Sequence, residues 1–139
     1  MKVALRYFSK FGHTKKMVDA VGDILKVIPK PISVPLTEPV DVLYLGCGVM
    51  LGRINWRMRN FIKTLTPAKV KKVICFGSSA ISDSPVPMLR ELLTKQGIKV
   101  SDMEFACKGA MEPLHAGHPD TNDIQNFRKF IEQTQQALS

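Results

Sequence analysis

Tyr7-Phe8-Ser9-Lys10-Phe11-Gly12-His13-Thr14 joins an apolar strand pattern to an amphipathic helix pattern through a short turn that contains hydroxyl side chains and a glycine. The start of a helix offers unpaired backbone N–H groups and the positive end of the helix dipole, and both attract anions. Ser9 and Thr14 add hydroxyl donors, and Gly12 lets a ligand approach the backbone closely. This first strand–turn–helix connection is therefore predicted to bind a phosphate group.

The composition is that of a globular protein with one core. The chain has 139 residues, of which 45% are hydrophobic, and we expect one domain over residues 1–139. No apolar run approaches the roughly 20 residues that span a membrane, and no signal-peptide core precedes the first strand, so we expect a cytoplasmic protein. The net charge of +8 favours an acidic partner or an anionic cofactor. Nucleic-acid binding rests on charge alone and is not favoured.

Apolar runs alternate with helical patterns along the chain. Strands are predicted over residues 2–8, 32–36, 41–47, 70–77 and 99–107, and helices over residues 14–27, 54–65, 86–96 and 122–137. The third and fourth strands are continuously apolar, which is typical of a parallel sheet covered on both faces. Only residues 37–40 separate the second strand from the third, whereas a parallel crossover normally carries a helix. We therefore predict that this helix is missing or very short, and that the open sheet face is a surface for a partner or a second copy.

Three predicted loops follow the carboxyl ends of the first, third and fourth strands. In an open α/β sheet, ligands bind outside these ends, where the strand order reverses. Small residues dominate the loops over residues 46–52 and 77–83, and their backbone groups suit the edge and faces of a flat heterocycle. A turn with Ser and Gly also starts a helix without binding anything. Two compatible loops at the same sheet edge favour ligand binding over that alternative.

The order and spacing of these loops resemble the flavodoxin-like family. Ser9-x-Phe11-Gly12-x-Thr14 is similar to that family's Thr/Ser-x-Thr/Ser-Gly-x-Thr loop, and the glycine-bounded loop after the third strand is similar to its second flavin loop. Cys107-Lys108-Gly109, followed by Gly117-His118-Pro119-Asp120, also resembles flavodoxin-family chains. The resemblance covers essentially the whole chain. It implies a doubly wound, five-stranded parallel sheet of order 2-1-3-4-5, non-covalent FMN and electron transfer.

The resemblance also implies a set of FMN-binding residues. The first loop would bind the phosphate, and the other two loops would hold the isoalloxazine ring. The set is Ser9, Lys10, Phe11, Gly12, His13, Thr14, Gly48, Val49, Met50, Leu51, Gly52, Gly77, Ser78 and Ser79. Phe11 departs from the family because it stands where a hydroxyl residue is usual. His13 either supplies a cation to the phosphate or is a solvent-exposed turn residue.

The aromatic residues that usually enclose the flavin are absent from the expected loops. Trp56 lies just beyond the second loop, at the start of a predicted helix. It either folds over the ring or packs on its own domain, and the second alternative is favoured. Met50 and Leu51 are the other candidates for apolar contact with the ring.

The cysteine and histidine spacing argues against metal binding. Cys47, Cys75 and Cys107 are far apart and form no CxxC pair, so they are interpreted as buried, reduced structural thiols. His115 and His118 lie in a loop rich in Pro and Gly without a Cys or carboxylate at ligand spacing, so no metal is expected there.

Three functions stay open from the sequence. The first is an FMN electron carrier that serves a partner oxidoreductase with an acidic face, since the chain is too short for a separate NAD(P)H domain. The second is a small NAD(P)H-dependent flavin or quinone reductase, which needs a homodimer to close its site. The third is a flavodoxin-fold binding module that has lost FMN. For a carrier, the positive charge predicts a less negative reduction potential than that of acidic flavodoxins, and Arg53, Arg57 and Arg59, which follow the second loop directly, are the best candidates for the charges responsible.

Overall fold

The computed structural model describes residues 1–8, 13–49, 54–79, 86–108 and 121–138. In chain order the helices and strands are β1 (Val3–Phe8), α1 (His13–Leu25), β2 (Lys30–Pro31), β3 (Val40–Val49), α2 (Trp56–Lys63), β4 (Val70–Ser79), α3 (Val86–Lys95), β5 (Val100–Lys108) and α4 (Thr121–Leu138). The strands form one parallel sheet of order β2-β1-β3-β4-β5. The predicted fold class and strand order are therefore confirmed.

Side chains alternate between the two faces of the sheet and divide the core into two parts. Leu43 and Leu45 of β3 pack on one side with α2 and α3, which we call the α2/α3 face. Leu5 and Tyr44 pack on the other side with α1 and α4, the α1/α4 face. Helices cover both faces, as the continuously apolar strands predicted. Among the described helices, none is long and apolar enough to cross a membrane.

An aromatic cluster holds α4 against the α1/α4 face. It consists of Phe76 on β4, Phe105 on β5, and Phe127 and Phe130 on α4. The ring centroids of Phe76 and Phe127 are 5.0 Å apart, as are those of Phe105 and Phe127. These distances suit tilted aromatic pairs. The cluster therefore joins two neighbouring strands to the last helix.

Gly46 is the position on β3 that makes room for this cluster. A Cβ atom at Gly46 would lie 2.5 Å from both Cε2 and Cζ of Phe76. The Phe76 ring therefore lies directly over the Gly46 backbone, and no larger residue fits without displacing it. Further along the same face, the Tyr44 hydroxyl lies 2.7 Å from the Thr134 hydroxyl. Because Thr134 donates to the carbonyl of Ile131, Tyr44 is the donor in this buried pair.

The second strand is much shorter than predicted and lies earlier in the chain. Residues 32–36 were expected to form it, but β2 contains only Lys30 and Pro31, paired with Arg6 and Tyr7 of β1. After Ile32 donates to the carbonyl of Tyr7, the Val34 N–H turns back to the carbonyl of Pro31. The apolar alternation of residues 32–36 predicts a strand. The backbone turn instead brings apolar side chains of this segment against the core.

Residues 32–39 connect β2 to β3 without a helix, as predicted. We call this segment the β2–β3 link. The expected open sheet face is nevertheless wrong, because Ile32 and Leu36 of the link pack against the core of the α2/α3 face. The link itself therefore covers the part of the sheet that a crossover helix would cover.

Arg6 attaches the link to the sheet from a position inside β1. Its side chain is only 7% exposed, and by alternation with Ala4 and Phe8 it belongs to the α2/α3 face. Nε donates to the carbonyl of Val34 at 2.8 Å, and Nη2 donates to that of Pro35 at 3.2 Å. Nη1 donates to the carbonyl of Leu5 at 3.1 Å. The Arg6 guanidinium thus donates hydrogen bonds to two backbone carbonyls of the β2–β3 link, a segment that contains no helix.

Candidate functional site

The carboxyl ends of four parallel strands meet at one edge of the sheet. Phe8, the last residue of β1, is paired with Cys47 of β3. Beyond that point β3 and β4 continue together, with Gly48 opposite Ser78 and Val49 opposite Ser79. Ser79 is in turn opposite Lys108, the last residue of β5. The segments that follow these strands therefore all leave the sheet at the same edge.

The strand order reverses between β1 and β3 at this edge. From β1 the chain passes through α1 to β2 on one side, and from β3 it passes through α2 to β4 on the other. Since α1 and α2 cover opposite faces, the ends of β1 and β3 form the switch point at which doubly wound proteins bind their ligands. The helix α1, which follows β1, begins at His13, and the start of a helix carries N–H groups without an intrahelical partner.

The predicted site residues fall into two groups. Ser9, Lys10, Phe11, Gly12, Met50, Leu51 and Gly52 lie outside the described residues. The others lie in secondary structure: His13 and Thr14 open α1, Gly48 and Val49 end β3, and Gly77, Ser78 and Ser79 end β4. The structure brings the ends of β3 and β4 side by side. Contacts of the first loop with a ligand stay a prediction.

The ends of β3 and β4 were predicted as loops, and that prediction is wrong. Strand 3 was expected to end at residue 47 and strand 4 at residue 77, whereas β3 reaches Val49 and β4 reaches Ser79. Glycine and serine are common signals of loops. Here Gly46 has a packing role against Phe76, and the ladder continues through Gly48 and Ser78. The part of the candidate site that contains Gly48 and Ser78 is therefore formed by two paired strands.

Trp56 does not pack on its own domain, so the favoured alternative for it is wrong. Its side chain is 61% exposed. The buried residues of α2 are Met58, Phe61 and Ile62, and a residue two positions before Met58 lies on the opposite side of a helix. Trp56 therefore faces away from the core. The Arg57 guanidinium carbon lies 4.8 Å from the centroid of its ring.

Asn55 and Arg6 have roles that the sequence analysis missed. The Asn55 side chain accepts a hydrogen bond from the Arg57 N–H at 2.8 Å and so caps α2 directly after the second predicted loop. An Asn at the second position of the predicted helix over residues 54–65 was the available signal. For Arg6, the signal was a charged residue inside an otherwise apolar strand pattern.

Two of the three cysteine side chains are buried. Cys47 on β3 and Cys75 on β4 lie in the core and form no disulfide. Burial raises the pKa of each to about 12, and the neighbouring Cys75 also contributes at Cys47. The structural interpretation is confirmed for these two residues, while the Cys107 side chain lies outside the described part. His115 and His118 also lie outside it, and no cluster of three potential metal-ligand side chains occurs among the described residues.

We expect Cys47 and Cys75 to resist a thiol reagent such as dithionitrobenzoate at about pH 8 in the folded protein, because the reacting species is the thiolate. Above the ordinary thiol pKa of 9.0, unfolded chains lose protons that the folded thiols keep until about pH 12. The free energy of unfolding should therefore fall as the pH rises through this range. Counting reactive thiols in the native protein, in denaturant and in the Cys107→Ser variant checks the first statement. Two reactive thiols in native Cys107→Ser would contradict it.

Comparison with known proteins identifies the fold. No protein-family model matches the sequence, and no curated protein matches it. A solved flavodoxin from the domain Archaea is similar over 94% of this chain and 94% of its own, with 19% identity and a TM-score of 0.75. Oxidised flavodoxin 2 from Bacillus cereus is similar over 96% of this chain and 99% of its own, with 19% identity and a TM-score of 0.70.

A third solved structure is a flavoprotein in complex with FMN from Lactobacillus acidophilus. It is similar over 76% of this chain and 92% of its own, with 15% identity and a TM-score of 0.60. All three likenesses extend over most of both chains, and they agree with the strand order and with the helices on both faces. The chain therefore has the flavodoxin-like fold.

Proposed function

We propose that residues 1–139 form a single flavodoxin-like domain that binds FMN without a covalent bond and carries electrons to or from a partner oxidoreductase. The observation that carries this proposal is the convergence of strand ends at the point where the strand order reverses. Phe8 lies beside Cys47, and the two longest strands extend past them to Val49 and Ser79. The helix α1, which begins at His13, follows β1 in the chain.

The chemistry of these groups suits a phosphate joined to a flat heterocycle. The N-terminal turn of α1 presents N–H groups and a positive dipole end to an anion, and Ser9, Gly12 and Thr14 add donors and space by the motif match. The paired ends of β3 and β4 supply backbone groups along one edge. FMN would supply the redox chemistry, and the chain's residues would hold and orient it.

The similar solved structures support the same ligand. The Lactobacillus protein is described as a complex with FMN, and the archaeal and Bacillus proteins are flavodoxins. These likenesses, at 15–19% identity, support FMN as the ligand to test first. The cytoplasmic location and the acidic face of the partner are parts of this proposal.

The purified protein should be yellow and should release FMN on denaturation. The resulting apoprotein should quench the fluorescence of added FMN. In a Ser9→Ala/Thr14→Val variant we expect FMN to bind about tenfold to hundredfold more weakly, because two donors to a charged phosphate are lost. Riboflavin, which has no phosphate, should bind both proteins equally.

Ser33→Ala/Thr37→Val is the matched control, because it removes the same groups from exposed positions in the β2–β3 link. Its FMN affinity should equal that of the parent chain. A colourless protein that does not quench FMN fluorescence would refute the proposal. The remaining alternative would then be a flavodoxin-fold binding module that has lost FMN. Steady-state NAD(P)H oxidation by the pure protein, with a dimer in solution, would favour the reductase instead.

A further inference from the structure

One helix presents a basic and aromatic surface to solvent. The exposed side chains of α2 are Trp56, Arg57, Arg59, Asn60 and Lys63, and we call them the α2 surface. The helix Trp56–Lys63 contains no acidic residue. Ion pairs between described residues occupy cations such as Lys2, Lys71 and Arg90, and none of them involves Arg57, Arg59 or Lys63. The positive charge of this surface is therefore not neutralised by the neighbours that the structure describes.

Trp56 makes this surface different from an ordinary solvated helix face. Only Met1 and Ile28 are comparably exposed large apolar residues in the described part of the chain, and Trp56 is the one aromatic residue among them. The Arg57 guanidinium lies over its ring, an arrangement that a cation–π attraction stabilises. Tryptophan and arginine are the residues that most often dominate the energy of protein interfaces. Here the two residue types lie in contact at one place on the surface.

The α2 surface also lies close to the candidate site. Trp56 is the first residue of α2, and α2 follows the loop that leaves the carboxyl end of β3. A protein docked on Trp56 and Arg57 would therefore lie beside the edge where the strand ends converge. Electron transfer requires the partner to lie close to the flavin. A contact at the amino ends of the strands would not bring the partner that close.

We propose that the α2 surface is the docking site for a partner protein with an acidic face. This inference rests on the proposed function in one respect, since it takes the partner to be the redox partner. Complementary charge would speed the encounter and orient the two proteins. Trp56 would supply the apolar centre of the contact, with Arg57, Arg59 and Lys63 around it.

A single-stranded nucleic acid is the competing occupant. Proteins that bind single strands stack successive bases on several aromatic side chains along a basic groove. The α2 surface offers a single ring and lies on a convex helix, so the observations favour an acidic protein.

Trp56 is the only tryptophan of the chain, so its fluorescence reports directly on this surface. In the full-length apoprotein, iodide should quench it more strongly than caesium, because the surface is positive. Polyglutamate is the probe for an acidic partner, and its binding should change the Trp56 emission and weaken as salt is added. An Arg57→Glu/Arg59→Glu variant should bind polyglutamate at least about tenfold more weakly.

Lys99→Glu/Lys129→Glu is the matched control, because it reverses two exposed charges on other elements and gives the same net charge. It should bind polyglutamate nearly as well as the parent chain. Equal losses in both variants would overturn the proposal, because the attraction would then come from net charge alone. Binding of a single-stranded oligonucleotide that is tighter than that of polyglutamate, and lost only in the α2 variant, would also overturn it.

The result of the docking experiment can be told apart from the result of the FMN-binding experiment. These measurements use the apoprotein and do not depend on a bound flavin. FMN binding is measured separately on the parent chain, so neither charge-reversal variant enters that test. Polyglutamate binding without FMN binding would reject the carrier and keep the docking surface, and the reverse result would reject only the surface.

Discussion

Replacing Phe127 with alanine is expected to lower the free energy of unfolding by about 4 kcal/mol. Phe127 is completely buried, and its ring lies 5.0 Å from those of Phe76 and Phe105 and 6.1 Å from that of Phe130. The loss combines the transfer of a large apolar group with the cavity that remains between α4 and two strands. Denaturant unfolding followed by circular dichroism measures it directly.

Phe127→Leu is the control for this variant. It keeps most of the buried volume, so it should cost less than half as much, on the order of 1.5 kcal/mol. Phe76 should not fill the cavity of Phe127→Ala, because its ring already lies over the Gly46 backbone. A loss below about 1 kcal/mol in Phe127→Ala would mean that α4 repacks freely and that the aromatic cluster does not hold it.

Arg6→Leu is expected to lower the free energy of unfolding by about 2–3 kcal/mol. The guanidinium donates to the carbonyls of Leu5, Val34 and Pro35, and leucine leaves all three without that donor. The full value of three charge-assisted bonds is not expected, because burial of the cation opposes them. The same burial lowers the pKa of Arg6, and replacing a buried charge by a well-packed apolar group removes that cost.

Hydrogen exchange separates a local effect from a global one. In Arg6→Leu, the Ile32 and Val34 amides, which bond to Tyr7 and Pro31, should exchange faster than amides in β3. Arg6→Lys keeps the charge without the planar fork and should recover less than half of the loss. As a control, Lys99→Leu changes an exposed residue and should stay within about 0.5 kcal/mol of the parent chain. Unchanged exchange in the link of Arg6→Leu would show that packing of Ile32 and Leu36, rather than Arg6, holds it.

The helices could be predicted because their signals are local, whereas the strand order was implied by the resemblance to the flavodoxin-like family. Apolar side chains at helical spacing, such as Met58, Phe61 and Ile62 on α2, are buried, as expected for the helix predicted over residues 54–65. The short connection between the second and third strands correctly predicted the missing helix. These features follow from periodicity and chain length, which one sequence displays in full.

The errors arise where a distant residue decides the outcome. Ile32 and Val34 are spaced like residues on one face of a strand. The hydrogen bond from Arg6 and a backbone turn instead hold this segment beside the core. Gly46 and Gly48 look like loop residues, yet the Phe76 ring and the pairing with β4 keep them in a strand. Trp56 was expected to pack because tryptophan is large and apolar, but its position on α2 places it opposite the buried stripe. The Arg6 and Phe76 partners are distant in sequence, so no local pattern reveals them. Trp56 is the exception, because the helical spacing of Met58, Phe61 and Ile62 already places it outside the buried stripe.

The two-residue edge strand β2 bears on how the protein behaves at high concentration. An edge strand with free N–H and C=O groups can pair with another chain and start aggregation. Pro31 has no N–H to offer, and Lys30 beside it is an exposed cation, so this edge is a poor template for a further strand. At the opposite edge, β5 carries the exposed acidic residues Asp102 and Glu104. The opposite charges of the two edges would attract a second copy, so it is the two-residue length of β2 and its proline that limit growth of the sheet into larger assemblies.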